Sequence, residues 1–247
     1  METTNPTVIY LIRHADVHNP QDIVYGRMPR FGLSQTGFHE AETTARYLAS
    51  SAQLSAIYSS PMLRARQTAD IISWSQDPPT AVMMSEALNE VRTGWQGYPN
   101  RDLMAGKFNF YDPKKDPSDE SIMDVYNRVY GLVRIILERH AGQSIVCVTH
   151  GDPVMILKTG LREVELRRDT IREPDYPAKA SVTTFIFNTP ETAPQISYFD
   201  PNAELHQRIE AEEKARQQAA GQTPSQPPLS EAPASASEEH DALAVTG

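Results

Sequence analysis

Two uninterrupted apolar runs stand out along the chain, Val8-Ile9-Tyr10-Leu11-Ile12 and Ile145-Val146-Cys147-Val148. Runs of this length and β-branched content predict strands buried on both faces, as in the middle of a parallel sheet. Each ends abruptly in polar residues, Arg13-His14 after the first and Thr149-His150 after the second. Two further strands are predicted at Ala56 to Ser60 and Ala81 to Leu88, the latter delivering Asn89-Glu90 at its end. Val182 to Asn188 and Gln195 to Asp200 predict a closing pair of edge strands.

Between the strands the apolar period changes from continuous to helical. Leu33-Ser34-Gln35-Thr36-Gly37 opens a helix with Ala41, Ala45 and Leu48 on one face and Ser34 as its N-cap. Ser60-Pro61 predicts a hydroxyl cap and a first-turn proline for a helix running to Ile72. Asp116-Pro117 predicts the same start for the strongest helix, striped by Ile122, Val125, Val129, Leu132, Val133 and Ile136. Asp152-Pro153 starts another, through Lys158. Alternating strands and helices over residues 1–202 predict an α/β fold with a parallel sheet. Residues 92–117 break the pattern with glycines and prolines, and interleave Trp95, Tyr98, Phe108, Phe110 and Tyr111 with Lys107, Lys114 and Lys115. An irregular stretch of this length inside a domain predicts a lid over a site. Residues 203–220 predict a charged helix, and 221–247 an acidic Pro/Ser/Ala-rich tail too poor in apolar residues to order.

Composition narrows the class. The 247 residues carry a formal charge of −9, of which residues 203–247 supply −5, so the body is only mildly acidic. No basic stripe marks a nucleic-acid partner. No apolar stretch approaches the length of a membrane span, and the start Met1-Glu2-Thr3-Thr4-Asn5-Pro6 has neither a basic nor an apolar leader. The single cysteine, Cys147, sits inside an apolar run and reads as a small buried hydrophobe in a reducing compartment. A soluble, cytoplasmic protein is expected.

Four predicted strand ends carry polar groups: Arg13-His14, Arg64 just beyond Ser59-Ser60, Glu90, and His150. In parallel sheets ligands bind beyond the carboxyl ends of strands. Arg64 and Arg66 fall in the first turn of a helix, where the dipole disfavours cations unless an anion is bound there. A solvated surface position explains only one of the two. Two arginines, two histidines and a carboxylate predict an oxyanion pocket. No His, Cys, Asp or Glu spacing matches a familiar metal site, and no cofactor is expected. His39, in His39-Glu40-Ala41-Glu42, lacks a second histidine four residues on and reads as a solvated helix residue.

These residues, in order, resemble the histidine phosphatase superfamily, branch 1, with its phosphoglycerate-mutase-like fold. Arg13-His14-Ala15 is similar to its Arg-His-Gly signature, and Leu33-Ser34-Gln35-Thr36-Gly37 to its Leu-Ser-x-x-Gly element. Ser59 to Ala69 is similar to the second-arginine motif, and Leu88-Asn89-Glu90 with Gly94-Trp95-Gln96-Gly97 to the acid motif. Asp119-Glu120-Ser121 with Arg128 resembles its Gly-Glu-Ser helix start, and Val148-Thr149-His150-Gly151 its second-histidine motif. Ala15 replaces the signature glycine and Asp16 stands where glutamate is usual. The asparagine expected a few residues later has no match in register, with Asn19 beside Pro20 there.

The resemblance implies a three-layer αβα sandwich with a mostly parallel central sheet. It implies a metal-independent phosphatase that hydrolyses a phosphomonoester through a phosphohistidine at His14. Arg13, Arg64 and His150 would bind the phosphoryl group, and Glu90 would be the general acid. The substrate expected is a small phosphorylated molecule or a phosphorylated protein side chain, and a homodimer stays open. Two alternatives remain. A phosphoglycerate-type mutase would return the phosphoryl group to its substrate, although family mutases tend to carry a longer, more basic insert than the 60 positions between Glu90 and His150. A catalytically inactive phosphate-binding module is the other.

Overall fold

In the computed structural model, residues 5–105, 109–172 and 176–221 are described. Among these, six strands form one sheet: β1 (Thr7–Arg13), β2 (Ala56–Ser59), β3 (Val82–Met84), β4 (Ser144–Thr149), β5 (Val182–Phe187) and β6 (Gln195–Phe199). Their order is β3-β2-β4-β1-β5-β6. The two apolar runs are neighbours in parallel, Ile9 opposite Ile145 and Arg13 opposite Thr149. β2 and β3 extend the parallel part, and β5 alone runs against its neighbours.

The pleat of the central strands sends alternate residues to two cores. Ile145 and Cys147, with Ile9 and Leu11, pack against α4 (Ile122–Arg139) and α5 (Gly151–Leu161). Val146 and Val148, with Ile12 and Ile57, pack against α1 (Gln35–Ser51) and α2 (Leu63–Trp74). The result is three layers, helices on both faces of a mostly parallel sheet, as expected. Of the α4 stripe, Val125, Val129, Leu132, Val133 and Ile136 are buried in the core and Ile122 packs against it partly buried; each fully buried aliphatic side chain stabilises by about 1.5–3 kcal/mol.

This layering also locates the site. The chain leaves β1 for a helix on one face and leaves β4 for a helix on the other. The crevice between the carboxyl ends of β1 and β4 is therefore a topological switch point, where open α/β sheets bind their ligands.

Several local expectations change. α2 begins at Leu63 with Met62 as its N-cap, and Met62 has no side-chain cap bond. The Ser60 hydroxyl accepts from the Met62 N–H (3.3 Å) and is also shared with the side chains of His150 and Asn89. α4 starts at Ile122, capped by Ser121 in a reciprocal capping box with Asp124, rather than at Asp116-Pro117. The Asp119 carboxylate instead accepts from the backbone N–H groups of Gly94 (2.6 Å), Lys115 (3.0 Å) and Asp116 (3.0 Å). The third strand is only three residues long, and Glu86–Leu88 form a 3₁₀ turn before Glu90. β5 is not an edge strand: it pairs on both sides, so only β6 of that pair lies at an edge.

Other expectations hold. Ser34 caps α1 through the N–H of Gly37 (3.0 Å). Its hydroxyl also bonds the Asp16 carboxylate, and a Cβ on Gly37 would sit 2.1 Å from the Asp16 carbonyl oxygen. The Leu-Ser-x-x-Gly element thus ties the first helix to the loop after β1, and glycine is needed because the backbones touch. Cys147 is buried, with its thiol pKa pushed up by that burial, which leaves it inert. His39 and Arg66 are exposed.

In segment 92–117, α3 (Asn100–Ala105) is a short helix, and the Lys115 ammonium sits over the rings of Trp95 (4.2 Å) and Tyr98 (4.0 Å). Lys107 and Phe108, with Gly106, lie outside the described residues, as does the tail from 222 onward. A second unit begins at Leu205 and contains most of α6 (Ala203–Gly221), a charged helix with a Lys214–Glu210 pair one turn apart. No helix among the described residues is long and apolar enough to cross a membrane.

Candidate active site

All five residues singled out from the sequence meet at the carboxyl end of the sheet. His14 follows β1 and is 1% exposed, while Arg64 and His150 are 0% exposed. The rings of His14 and His150 lie 5.1 Å apart, edge to face. Arg64 projects from the first turn of α2, and one of its Nη2 hydrogens points at His150 Nδ1 (3.1 Å). The same nitrogen donates to the Gly26 carbonyl (2.7 Å). Arg64 Nε and Nη1, and Arg13 Nε, are buried with no acceptor among the described residues. Forked cations with idle donors in a buried position are built to receive an oxyanion.

Hydrogen-bond logic fixes both tautomers. His14 Nδ1 is 2.8 Å from the Ala15 carbonyl, which can only accept, so Nδ1 carries the hydrogen and Nε2 the lone pair. Burial, then the charges of Arg64 and Arg13, hold the His14 pKa well below the usual histidine value. His14 is therefore neutral at pH 7, with its free lone pair on Nε2. His150 has the opposite tautomer. Arg64 can only donate, so His150 Nδ1 accepts, and its Nε2–H donates to Ser60 Oγ (2.9 Å). Ser60 in turn donates to Asn89 Oδ1 (3.0 Å). Burial and Arg64 keep His150 neutral as well.

Glu90 follows the 3₁₀ turn after β3 and lines a cavity together with Arg13. Its backbone carbonyl is clamped by Arg27 Nε (2.7 Å) and Arg128 Nη2 (3.2 Å), and both arginines are held by Glu120. Its side chain accepts from the Val91 N–H (2.8 Å). Burial and the nearby Asp152 charge raise the Glu90 pKa above the ordinary carboxylate value, against the pull of Arg64 and Arg13. A carboxyl group raised in this way keeps its proton to higher pH than an ordinary carboxylate does.

Asp152 is the group that sequence reading passed over, as no more than a helix start. It is 1% exposed and accepts four bonds, from Arg172 Nη1 (2.5 Å) and Nη2 (2.9 Å), Tyr176 Oη (2.7 Å) and Tyr111 Oη (2.5 Å). Tyr176 passes so close to Gly151 that a Cβ there would lie 2.2 Å from its hydroxyl. Its ring also carries the Arg13 guanidinium (5.3 Å), whose Nη1 donates to Pro177 O (2.7 Å). Asp152 thus holds the aromatic wall that supports Arg13. Its partners lie 20 to 41 positions away, so no local motif announces them.

Tyr25 also escaped notice. Its ring covers the Arg64 guanidinium (4.6 Å) and meets the edge of His14 (6.4 Å). Asn19 lines the cavity, but its amide is spent on the backbone of Ile23. Among the described residues, no three His, Cys, Asp or Glu side chains group closely enough to hold a metal ion.

Comparison with known proteins places this arrangement. Residues 9–195 match the profile of the histidine phosphatase superfamily (branch 1). An uncharacterised protein of Mycobacterium tuberculosis is 34% identical over 191 residues, covering 74% of this chain and 91% of its own. Phosphoserine phosphatase 1 of Hydrogenobacter thermophilus is 30% identical over 170 residues, 65% of this chain and 78% of that protein. Among solved structures, Entamoeba histolytica phosphoserine phosphatase in complex with 3-phosphoglyceric acid aligns with a TM-score of 0.64 at 26% identity, over 78% of this chain and 96% of that one. Bacillus stearothermophilus YhfR gives 0.64 at 26% identity, over 72% and 90%. With its motifs in order, its two histidines at the switch point and strands β2 to β5 wholly inside the matched span, the chain belongs to branch 1 of the histidine phosphatase superfamily.

Proposed function

We propose that the protein is a phosphomonoesterase that works without a metal, through a phosphohistidine on His14. The observation that carries this reading is the Nδ1–H bond from His14 to the Ala15 carbonyl, which leaves a neutral ring with its lone pair on Nε2 beside two guanidinium groups. Phosphoryl transfer needs positioning and charge neutralisation more than covalent help, and the two arginines supply both.

In the first step the Nε2 lone pair forms the N–P bond as the P–O bond to the leaving alcohol breaks. Glu90 gives its proton to the departing oxygen. In the second, Glu90 takes a proton from water as that water attacks phosphorus, the N–P bond breaks, and inorganic phosphate leaves. Because His14 and Arg64 are almost wholly buried, the Tyr25-Gly26 loop must yield for phosphorus to reach Nε2. A phosphoryl oxygen then takes the Arg64 donor that Gly26 O now holds. A bound dianion also favours a second proton on His150, turning Nδ1 from acceptor into donor.

The family placement and the phosphatase relatives support hydrolysis of a small phosphorylated substrate. Rapid mixing with a ³²P-labelled ester and alkaline quench should trap an alkali-stable, acid-labile phosphoryl group on His14, with turnover undiminished by EDTA. Trapping on a serine or aspartate would overturn the assignment. Interconversion of 2- and 3-phosphoglycerate without phosphate release would make the protein a mutase instead.

A further inference from the structure

The cavity in front of Arg13 and Glu90 measures about 800 Å³. That is the size of a site for a drug-sized ligand, and a phosphorylated three-carbon acid would leave most of it unfilled. Beyond the phosphoryl end its wall includes Val17, Ile23, Leu103, Met104, Phe110 and Tyr176. Several of these come from segment 92–117, so the lid contributes apolar surface rather than charge.

A phosphorylated hydroxy acid such as 3-phosphoglycerate carries a carboxylate besides the phosphate, with no ammonium to offset it. In a largely apolar pocket that second charge needs its own cation. Among the described residues, the cavity offers only two cations beyond Arg13, and both are already neutralised. Arg172 grips the buried Asp152 through both terminal nitrogens. The Lys179 ammonium is paired with the Asp16 carboxylate. Burial pushes the Asp16 pKa up, but Lys179 and the Ser34 hydroxyl outweigh it and hold Asp16 ionised. Asp16 and Asp22, both at the cavity wall, would also repel an incoming carboxylate.

We propose that the site takes phosphomonoesters of bulky, uncharged, aromatic or apolar alcohols, and that Asp16 sets this preference by cancelling Lys179. The inference rests on the phosphomonoesterase reading of the same site, and its test separates the two. Wild-type kcat/KM for phosphate release is measured with 1-naphthyl phosphate and with 3-phosphoglycerate. Binding of the same two esters to His14→Ala is measured by calorimetry, which needs no turnover. The naphthyl ester is expected to lead by on the order of 100-fold in both assays, from apolar burial without a stranded charge.

Asp16→Asn keeps an acceptor for Ser34 and frees Lys179. It should raise kcat/KM for 3-phosphoglycerate about 10-fold and leave the naphthyl ester within about 2-fold, which also reports that the variant is folded. Equal or better use of 3-phosphoglycerate by wild type, or no gain in Asp16→Asn, would overturn the preference. Absence of phosphate release from either ester, with naphthyl phosphate still bound more tightly by His14→Ala, would overturn hydrolysis and support the preference. Tighter binding of 3-phosphoglycerate in that assay would overturn it.

Discussion

His14→Ala is expected to lower phosphate release from an aryl phosphate by on the order of 10⁴-fold or more, as removal of a nucleophile that acts as part of a unit does. The size reflects the way its neighbours depend on it. Arg13, Arg64 and His150 stabilise charge on a phosphoryl group in flight, but none presents a lone pair to phosphorus. The two arginines are permanent cations, and His150 Nδ1 already accepts from Arg64. Water would have to attack in place of Nε2, with no base positioned on that side. The substitution should leave ester binding largely intact, so a calorimetric titration shows whether the site survives. Equal turnover by wild type and His14→Ala would overturn the mechanism.

The second large effect is on Glu90. Glu90→Gln should reduce kcat for an alkyl phosphate by about 10²–10⁴-fold, the range for loss of general acid–base catalysis. The variant keeps the shape of the side chain, its bond from Val91 N–H and the arginine clamp on its carbonyl. With p-nitrophenyl phosphate the leaving phenolate needs no proton, so the phosphoenzyme should still form quickly and only its hydrolysis should slow. A stopped-flow burst of nitrophenolate, then a slow steady state, is the expected trace.

The pH dependence carries a definite sign. As the acid, Glu90 must be protonated, and its pKa is raised by burial and Asp152. Wild-type kcat/KM for an alkyl ester should therefore fall as pH rises through that pKa, and this limb should vanish in Glu90→Gln. Retention of both the rate and the limb would remove Glu90 from the chemistry.

Much of the fold and the site is legible in the sequence because the relevant signals are local. Buried strands announce themselves as unbroken apolar runs, and the residues just beyond each run must emerge at the carboxyl end of the sheet. Arg13, His14 and His150 are found in that way. The α1 cap is legible too, since Ser34 and Gly37 bond within one turn. Where a hydroxyl or carboxylate has two possible employers, local reading chooses wrongly. Ser60-Pro61 has the form of a helix start, yet the hydroxyl bridges His150 and Asn89, residues 90 and 29 positions away. Asp116-Pro117 has the same form, but the cap falls to Ser121, whose partner Asp124 completes a box. Asp152 and its ring of Tyr111, Arg172 and Tyr176 are drawn from α5, segment 92–117 and the loop before β5, which only the tertiary fold brings together. Tyr25 is hidden because an aromatic in a glycine-punctuated loop carries no period.

One buried side chain also bears on thermal stability. Arg64 sits at 0% exposure with two nitrogens that find no acceptor among the described residues. A group in that condition costs about 1–3 kcal/mol of folding free energy, more when charged. The fold is thus less stable than its core could make it, by a margin that an oxyanion recovers on binding. Orthovanadate or inorganic phosphate at about 100 times its dissociation constant should add roughly 2.7 kcal/mol, read as a rise of several degrees in Tm that Arg64→Ala abolishes. The arrangement that readies the pocket for phosphorus also lowers the temperature at which the empty fold melts.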